Sequence, residues 1–217
     1  MPGWWIAITW TIAGAVVGAA LSFVTGRSVK TTTVLRASRL PTTPIAVVAT
    51  AILFGALAWR LGARFELLPY SALAAVGVPL AIIDTVEHRL PNRLLLVAYP
   101  TALTLFSLGS ILRSDPTSLM RALISMAAIA SFYLALALIF SGGLGAGDVK
   151  LGGLLGLALG WASWTAVMTG TLLGWLLGAG AWFTFRLTGH MTRDSLLPLG
   201  PFLLLGTLIA IAVMPPP

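Results

Sequence analysis

Asp84 directly follows the apolar run AAVGVPLAII (residues 74–83), and Asp148 precedes a second run, LGGLLGLALG (residues 151–160), with only two residues between. Each carboxylate therefore sits where a hydrophobic segment meets a membrane boundary. A charge at the bilayer centre costs about 2.5–3.5 kcal/mol on insertion scales and less near a helix end, so acids so placed are functional candidates by default. Two carboxylates brought close together share a proton, because both cannot ionise cheaply, and one then serves as base while the other serves as acid. Such a pair can activate a water molecule and protonate a leaving amine, which is peptide hydrolysis. Asp148 opens a helix and Asp84 closes one, so the helix macrodipole points to Asp148 as the base, although a dyad titrates as a pair.

The rest of the chain offers few rival chemistries. Without cysteine there is no thiol nucleophile and no Cys-based zinc site, and His88 and His190 are too few for a His-rich metal centre. Of the six acidic residues, Glu66 and Asp115 fall in loops beside Arg64 and Arg113 and read as solvated surface charges. Plain structural roles compete for the remainder. Asp148, after Gly145-Ala146-Gly147, fits an N-cap, as does Asn92 after Pro91, and Asp84 fits an ion pair with Arg89 or Arg93. His88, between Glu87 and Arg89, reads as a solvated loop residue.

The elements that must position these groups are membrane helices. Hydrophobic residues make up 58% of the chain and charged residues 9%, against about 25% charged in soluble domains. The mean hydropathy is +0.98. A soluble fold of 217 residues has no interior large enough for that much apolar surface, and disorder is excluded by the same numbers. Since about 20 apolar residues span a bilayer, fewer when neighbours bury the helix, the apolar runs predict eight helices: 4–24, 45–61, 67–84, 93–112, 118–141, 149–161, 163–187 and 195–213. A single Gly-rich re-entrant hairpin is an alternative for the sixth and seventh. The N-terminus lacks the charged n-region and cleavage site of a signal peptide and reads as a retained helix. With no linker or repeat, residues 1–217 read as one helical domain.

Alternation of these segments puts nine basic residues on one side: Arg27, Lys30, Arg36, Arg39, Arg89, Arg93, Lys150, Arg186 and Arg193. The other side receives Arg60, Arg64, Arg113 and Arg121. The richer side, which also carries Asp84 and Asp148, is expected to be cytoplasmic, and the net charge of +7 then reflects membrane orientation and not nucleic-acid binding. Asp148, Gly152, Gly156 and Gly160 share one helix face, and Gly170, Gly174 and Gly178 repeat the interval in the next segment. Small-xxx-small stripes let membrane helices approach closely, and here the first one runs up to a carboxylate. The Gly-Ala-Gly stretch ahead of Asp148 also permits backbone conformations closed to bulkier residues.

The motif Asp84-Thr85-Val86-Glu87-His88-Arg89-Leu90-Pro91-Asn92 resembles the first catalytic motif of the type IV prepilin peptidases, and Gly145-Ala146-Gly147-Asp148-Val149-Lys150-Leu151 resembles their GxGDxKL motif. Leu159-Gly160-Trp161 and Leu197-Pro198-Leu199-Gly200-Pro201-Phe202 fit the same family, with Leu199 in place of a Phe, and the first helix is loosely similar to its opening helix. Strong similarity covers about 84–161 and 197–203. The resemblance implies an all-α polytopic aspartic protease of the GxGD class. Asp84 and Asp148 would be catalytic, Gly145, Gly147, Lys150, Pro91 and Asn92 would shape the site, and no metal or cofactor would be needed. The implied partners are a prepilin-like precursor and membrane lipid. The family removes a short basic leader on the cytoplasmic side of the inner membrane, and Glu87 and Asp194 are the acids placed to meet such a leader.

Bifunctional members also methylate the new N-terminus and carry paired cysteines in an expanded first loop. Here residues 25–44 contain no Cys, so no separate Cys-containing methyltransferase domain is expected and a peptidase-only member is the simpler reading. The rival readings are a proton- or cation-coupled transporter using the two acids, and a catalytically silent scaffold held by its glycine stripes. Transporter acids more often lie near the bilayer midplane than at one boundary.

Overall fold

The computed structural model describes residues 4–28, 42–139, 144–188 and 198–213. Eight helices follow one another: α1 Trp4–Ser28, α2 Thr42–Leu61, α3 Leu67–Glu87, α4 Asn92–Arg113, α5 Pro116–Ile139, α6 Ala146–Ala162, α7 Trp164–Leu187 and α8 Gly200–Val213. There is no strand among the described residues. The protein is an all-α polytopic membrane protein: six of these helices are long and apolar enough to cross a bilayer, and α8 is a shorter apolar helix. The predicted segments coincide with the eight helices to within five residues, and the predicted positions 140–141 and 195–197 lie outside the described residues. The re-entrant alternative is not adopted, because Ser163 ends α6 in extended backbone and its hydroxyl then accepts from the N–H of Ala166 to cap a full α7.

Helix α3 is central, with 72% of its apolar window buried against 11% for α1. Helix α6 is short because it does not face lipid. Every residue from Leu151 to Trp161 is buried, so neighbours supply its apolar environment. The face carrying Gly152, Gly156 and Gly160 lies on α5. A Cβ there would stand 2.7 Å from the Tyr133 ring, 2.7 Å from the Ser125 carbonyl oxygen and 2.6 Å from the Ser125 side chain respectively. In the second stripe Gly170 receives Leu159 of α6 and Ala210 of α8, Gly174 receives Leu203 of α8, and Gly178 receives Leu199, just ahead of α8. Both stripes thus serve close helix approach.

Helix α1 packs on α2 through Gly14, Gly18 and Gly55, and Trp10 Nε1 donates to Ser71 Oγ of α3 across 2.8 Å. Exposed Trp4, Trp5, Trp59 and Trp164 gather at one end of the bundle and Trp182, Phe183 and Phe185 at the other, as the aromatic belts of a membrane protein do.

Two acids expected to be solvated are engaged instead. Glu66 is buried, at 2% exposure, and pairs with Arg113 at the end of α4, since a carboxylate withdrawn from water needs a counter-charge. Asp115 caps α5: its carboxylate accepts from the N–H of Ser118 at 3.1 Å and from the Ser118 hydroxyl at 2.5 Å, with Pro116 at the first helical position.

Candidate active site

Helix α3 ends one turn after Asp84. His88 takes the left-handed conformation (φ 51°), and its N–H donates to the Asp84 carbonyl at 2.9 Å, which closes the helix and turns the chain into Leu90-Pro91. His is among the residues that tolerate this region without being glycine. Asp84 is therefore a last-turn residue facing inward, and it is buried. Among the described residues no arginine pairs with it. Arg89 instead binds Glu87, with Nε 2.6 Å from Oε2. The partner of Asp84 is the N–H of Gly200, the first residue of α8, which donates to Oδ2 at 3.0 Å.

Asp148 sits in the first turn of α6. The N-cap is Gly145, not Asp148. The Asp148 carboxylate reaches back three residues to accept from the Gly145 N–H at 3.0 Å, while the Asp148 N–H donates to the Gly145 carbonyl at 3.0 Å. This is the side-chain half of a capping box, which ties the carboxylate to its own helix start. Gly145 has φ −81°, open to any residue, so the backbone freedom expected of the Gly-Ala-Gly stretch is not what Gly145 supplies. Gly147 matters for space: a Cβ there would lie 2.8 Å from Leu90 Cβ, so its absence lets the start of α6 lie against the loop that follows Asp84.

Helix α4 fixes the register of α6. Asn92 does not cap α4, whose N-cap is Pro91. Its Oδ1 accepts from Lys150 Nζ at 2.8 Å. Seven residues on, the Tyr99 hydroxyl donates to the Lys150 carbonyl at 2.7 Å, above a Gly153 that leaves room for it. At the far end of α6, Arg121 of α5 donates to the carbonyls of Gly160 at 2.6 Å and Trp161 at 2.7 Å. A cation at a helix C-terminus complements the macrodipole and satisfies carbonyls that the helix leaves free.

The result is one cavity of about 460 Å³, open at the helix ends, with Asp84 and Asp148 in its wall. Asn92, Gly145, Gly147, Lys150 and Leu199 line it as well. Both carboxylates border this one cavity, and His88 lies on its rim. His88 is exposed as expected, but it faces the cavity and not open solvent alone. Of the other expected residues, Pro91 supplies the turn between the cavity and α4, and Glu87 stands off the cavity, occupied by Arg89. Asp194 lies outside the described residues. Among the described residues no group of three or more His, Cys, Asp or Glu side chains is arranged to hold a metal. Both acids therefore receive an N–H from the start of a helix, Asp148 from α6 and Asp84 from α8, so helix ends alone do not tell base from acid.

Tyr99 and Gly200, whose hydrogen bonds reach the Lys150 carbonyl and the Asp84 carboxylate, were not singled out by the sequence reading. A phenol inside an apolar span signals a buried polar atom in need of a partner. Gly200 carries no side-chain signal, only its place between Leu199 and Pro201 in a motif already noted.

The type IV leader peptidase family matches residues 71–215, from the first turns of α3 to beyond α8. The chain belongs to the type IV leader peptidase family. The prepilin leader peptidase/N-methyltransferase of Bacillus subtilis (strain 168) is 32% identical over 168 residues, which cover 77% of this chain and 64% of that relative. No solved structure is significantly similar. Within the leader peptidase family match lie both carboxylates, the Lys150–Asn92 bond and the α8 segment that meets Asp84.

Proposed function

We propose that this protein is a membrane aspartic endopeptidase that removes the short basic leader of type IV prepilin-like precursors at the cytoplasmic face of the inner membrane. The observation that carries the proposal is the presence of Asp84 and Asp148, 64 positions apart in sequence, in the wall of one cavity at one end of the bundle. In that cavity the ionised carboxylate takes a proton from water as its oxygen bonds to the scissile carbonyl carbon. The protonated partner then gives its proton to the amide nitrogen as the C–N bond breaks, and the pair is left ready for proton exchange with solvent. The excess of basic residues on the Asp84 and Asp148 side supports the cytoplasmic orientation. A precursor would keep its leader at this aqueous edge and its apolar helix in the bilayer. Glu87 would meet a basic leader only by exchanging Arg89 for it. The proposal stops at hydrolysis, because the connection between α1 and α2 offers no cysteine pair.

The test is co-expression with a type IV prepilin, followed by mass measurement of the product. The wild type removes the leader. Asp84→Asn and Asp148→Asn both fail to do so while accumulating normally in the membrane. Leader removal retained in either variant overturns the proposal.

A further inference from the structure

Asp84 is buried among apolar helices, where an uncompensated carboxylate is costly. The N–H of Gly200 meets its Oδ2 at 3.0 Å. Three features of the sequence around Gly200 make that contact specific. The next residue is Pro201, which has no N–H. The following amides, of Phe202 and Leu203, are both turned onto the Leu199 carbonyl at 3.1 Å. The Gly200 amide is thus the one that this turn of α8 directs at the carboxylate. Finally, a Cβ on residue 200 would stand 2.7 Å from Asp84 Oδ2 and 3.3 Å from its Cγ, with Leu151 Cδ2 at 3.5 Å. Gly200 is therefore wedged between the helix that carries Asp84 and the helix that carries Asp148.

We propose that Gly200 is a positioning residue for Asp84: its backbone N–H occupies Oδ2 and confines the exchangeable proton of Asp84 to Oδ1, the oxygen left for water and substrate. An oxygen that already accepts an N–H is a poor site for a proton, so the proton passed during turnover enters and leaves at one oxygen. The inference rests on the peptidase reading of the cavity. It extends that reading by giving the start of α8, and not only the two acidic motifs, a part in the reaction.

The experiment uses the full chain in phospholipid–detergent micelles with a purified prepilin as probe. In Gly200→Ala, kcat is expected to fall at least about tenfold with KM little changed, as for a group that acts on the transition state. Gly180→Ala, whose added methyl meets nothing within 4 Å, is expected to match the wild type. Independently of turnover, the Gly200 amide proton, assigned in the wild type by triple-resonance connectivity to Leu199, is followed by NMR. Its resonance should move with pH as the carboxylates titrate, and that step should vanish in Asp84→Asn. A folded Gly200→Ala with wild-type kcat, or a Gly200 resonance indifferent to Asp84→Asn, overturns the inference. If Gly200→Ala does not fold, the NMR measurement alone decides. A wild-type protein that leaves the prepilin uncut sinks the peptidase reading instead, whatever the amide reports.

Discussion

The Lys150 ammonium group donates to Oδ1 of Asn92 across 2.8 Å, so a residue two positions after one catalytic candidate is tied to a residue eight positions after the other. The bond is exposed, and a hydrogen bond to a charged group is worth about 1.5–3 kcal/mol at most. Lys150→Met and Asn92→Ala are each expected to slow leader removal about three- to tenfold, with the double variant no slower than the worse single one. Additive losses in cleavage rate would show that the two side chains act separately.

The two glycines of the GxGD motif should respond differently. At position 147 a methyl group meets Leu90 Cβ at 2.8 Å, a distance that forces the start of α6 away from the Asp84 loop. At position 145 it meets Asp148 Oδ2 at 3.5 Å, ordinary contact, on a backbone any residue adopts. Gly147→Ala is expected to lose at least about tenfold in cleavage rate, since misplacement of a reacting group by a fraction of an ångström is costly. Gly145→Ala should remain within a few-fold of wild type. Equal losses in a side-by-side rate assay would contradict the steric account.

Arg121 ends α6 by holding the carbonyls of Gly160 and Trp161 from α5. Removing it leaves those carbonyls without a charged donor, at a cost of about 2–3 kcal/mol. Arg121→Ala should lower the unfolding midpoint in detergent, while cleavage stays near wild type at temperatures where the variant is folded. Arg121→Lys should recover only part of the loss, because an ammonium group lacks the guanidinium fork. An unchanged midpoint would remove the capping role.

Stability near Asp115 should depend on pH. Hydrogen bonds from the Ser118 hydroxyl, and next from its N–H, hold the Asp115 carboxyl below the usual carboxylate range. A lowered folded value means that the contribution is complete above the unfolded value of about 3.9 and is lost as pH falls through the folded one. Asp115→Ala should therefore cost about 1 kcal/mol near neutral pH, as loss of an N-cap does, and progressively less in acid. Asp115→Asn should keep most of the cap and lose the pH dependence. Unfolding titrations of the three proteins distinguish these outcomes.

The architecture was legible because each membrane helix announces itself as an apolar run, and even α6, only 17 residues long, kept its boundaries through the Gly-Ala-Gly ahead of it and Ser163 behind. The carboxylates Asp84 and Asp148 were legible for the converse reason: an acid at the edge of such a run is rare enough to examine singly. What escaped was partnership. Glu66 is paired with Arg113, 47 positions away, and nothing local to either residue specifies that pairing. Asn92 has the neighbours of a helix cap yet serves Lys150, because Pro91 already holds the cap position. Gly200 acts through its main chain, which is the same in every residue type but proline. Only the space beside it, set by α3 and α6, distinguishes it.

The cavity that holds Asp84 and Asp148 lies at the rim of the bundle and not halfway down it. A hydrolase buried in lipid must bring one water molecule through hydrocarbon for every bond it cuts and must then return a charged fragment the same way. A catalyst seated at the rim avoids both journeys. Its throughput would be governed by how fast precursors drift to it within the plane of the bilayer, so diluting enzyme and precursor with extra lipid should slow it even when the bulk concentrations of both are unchanged.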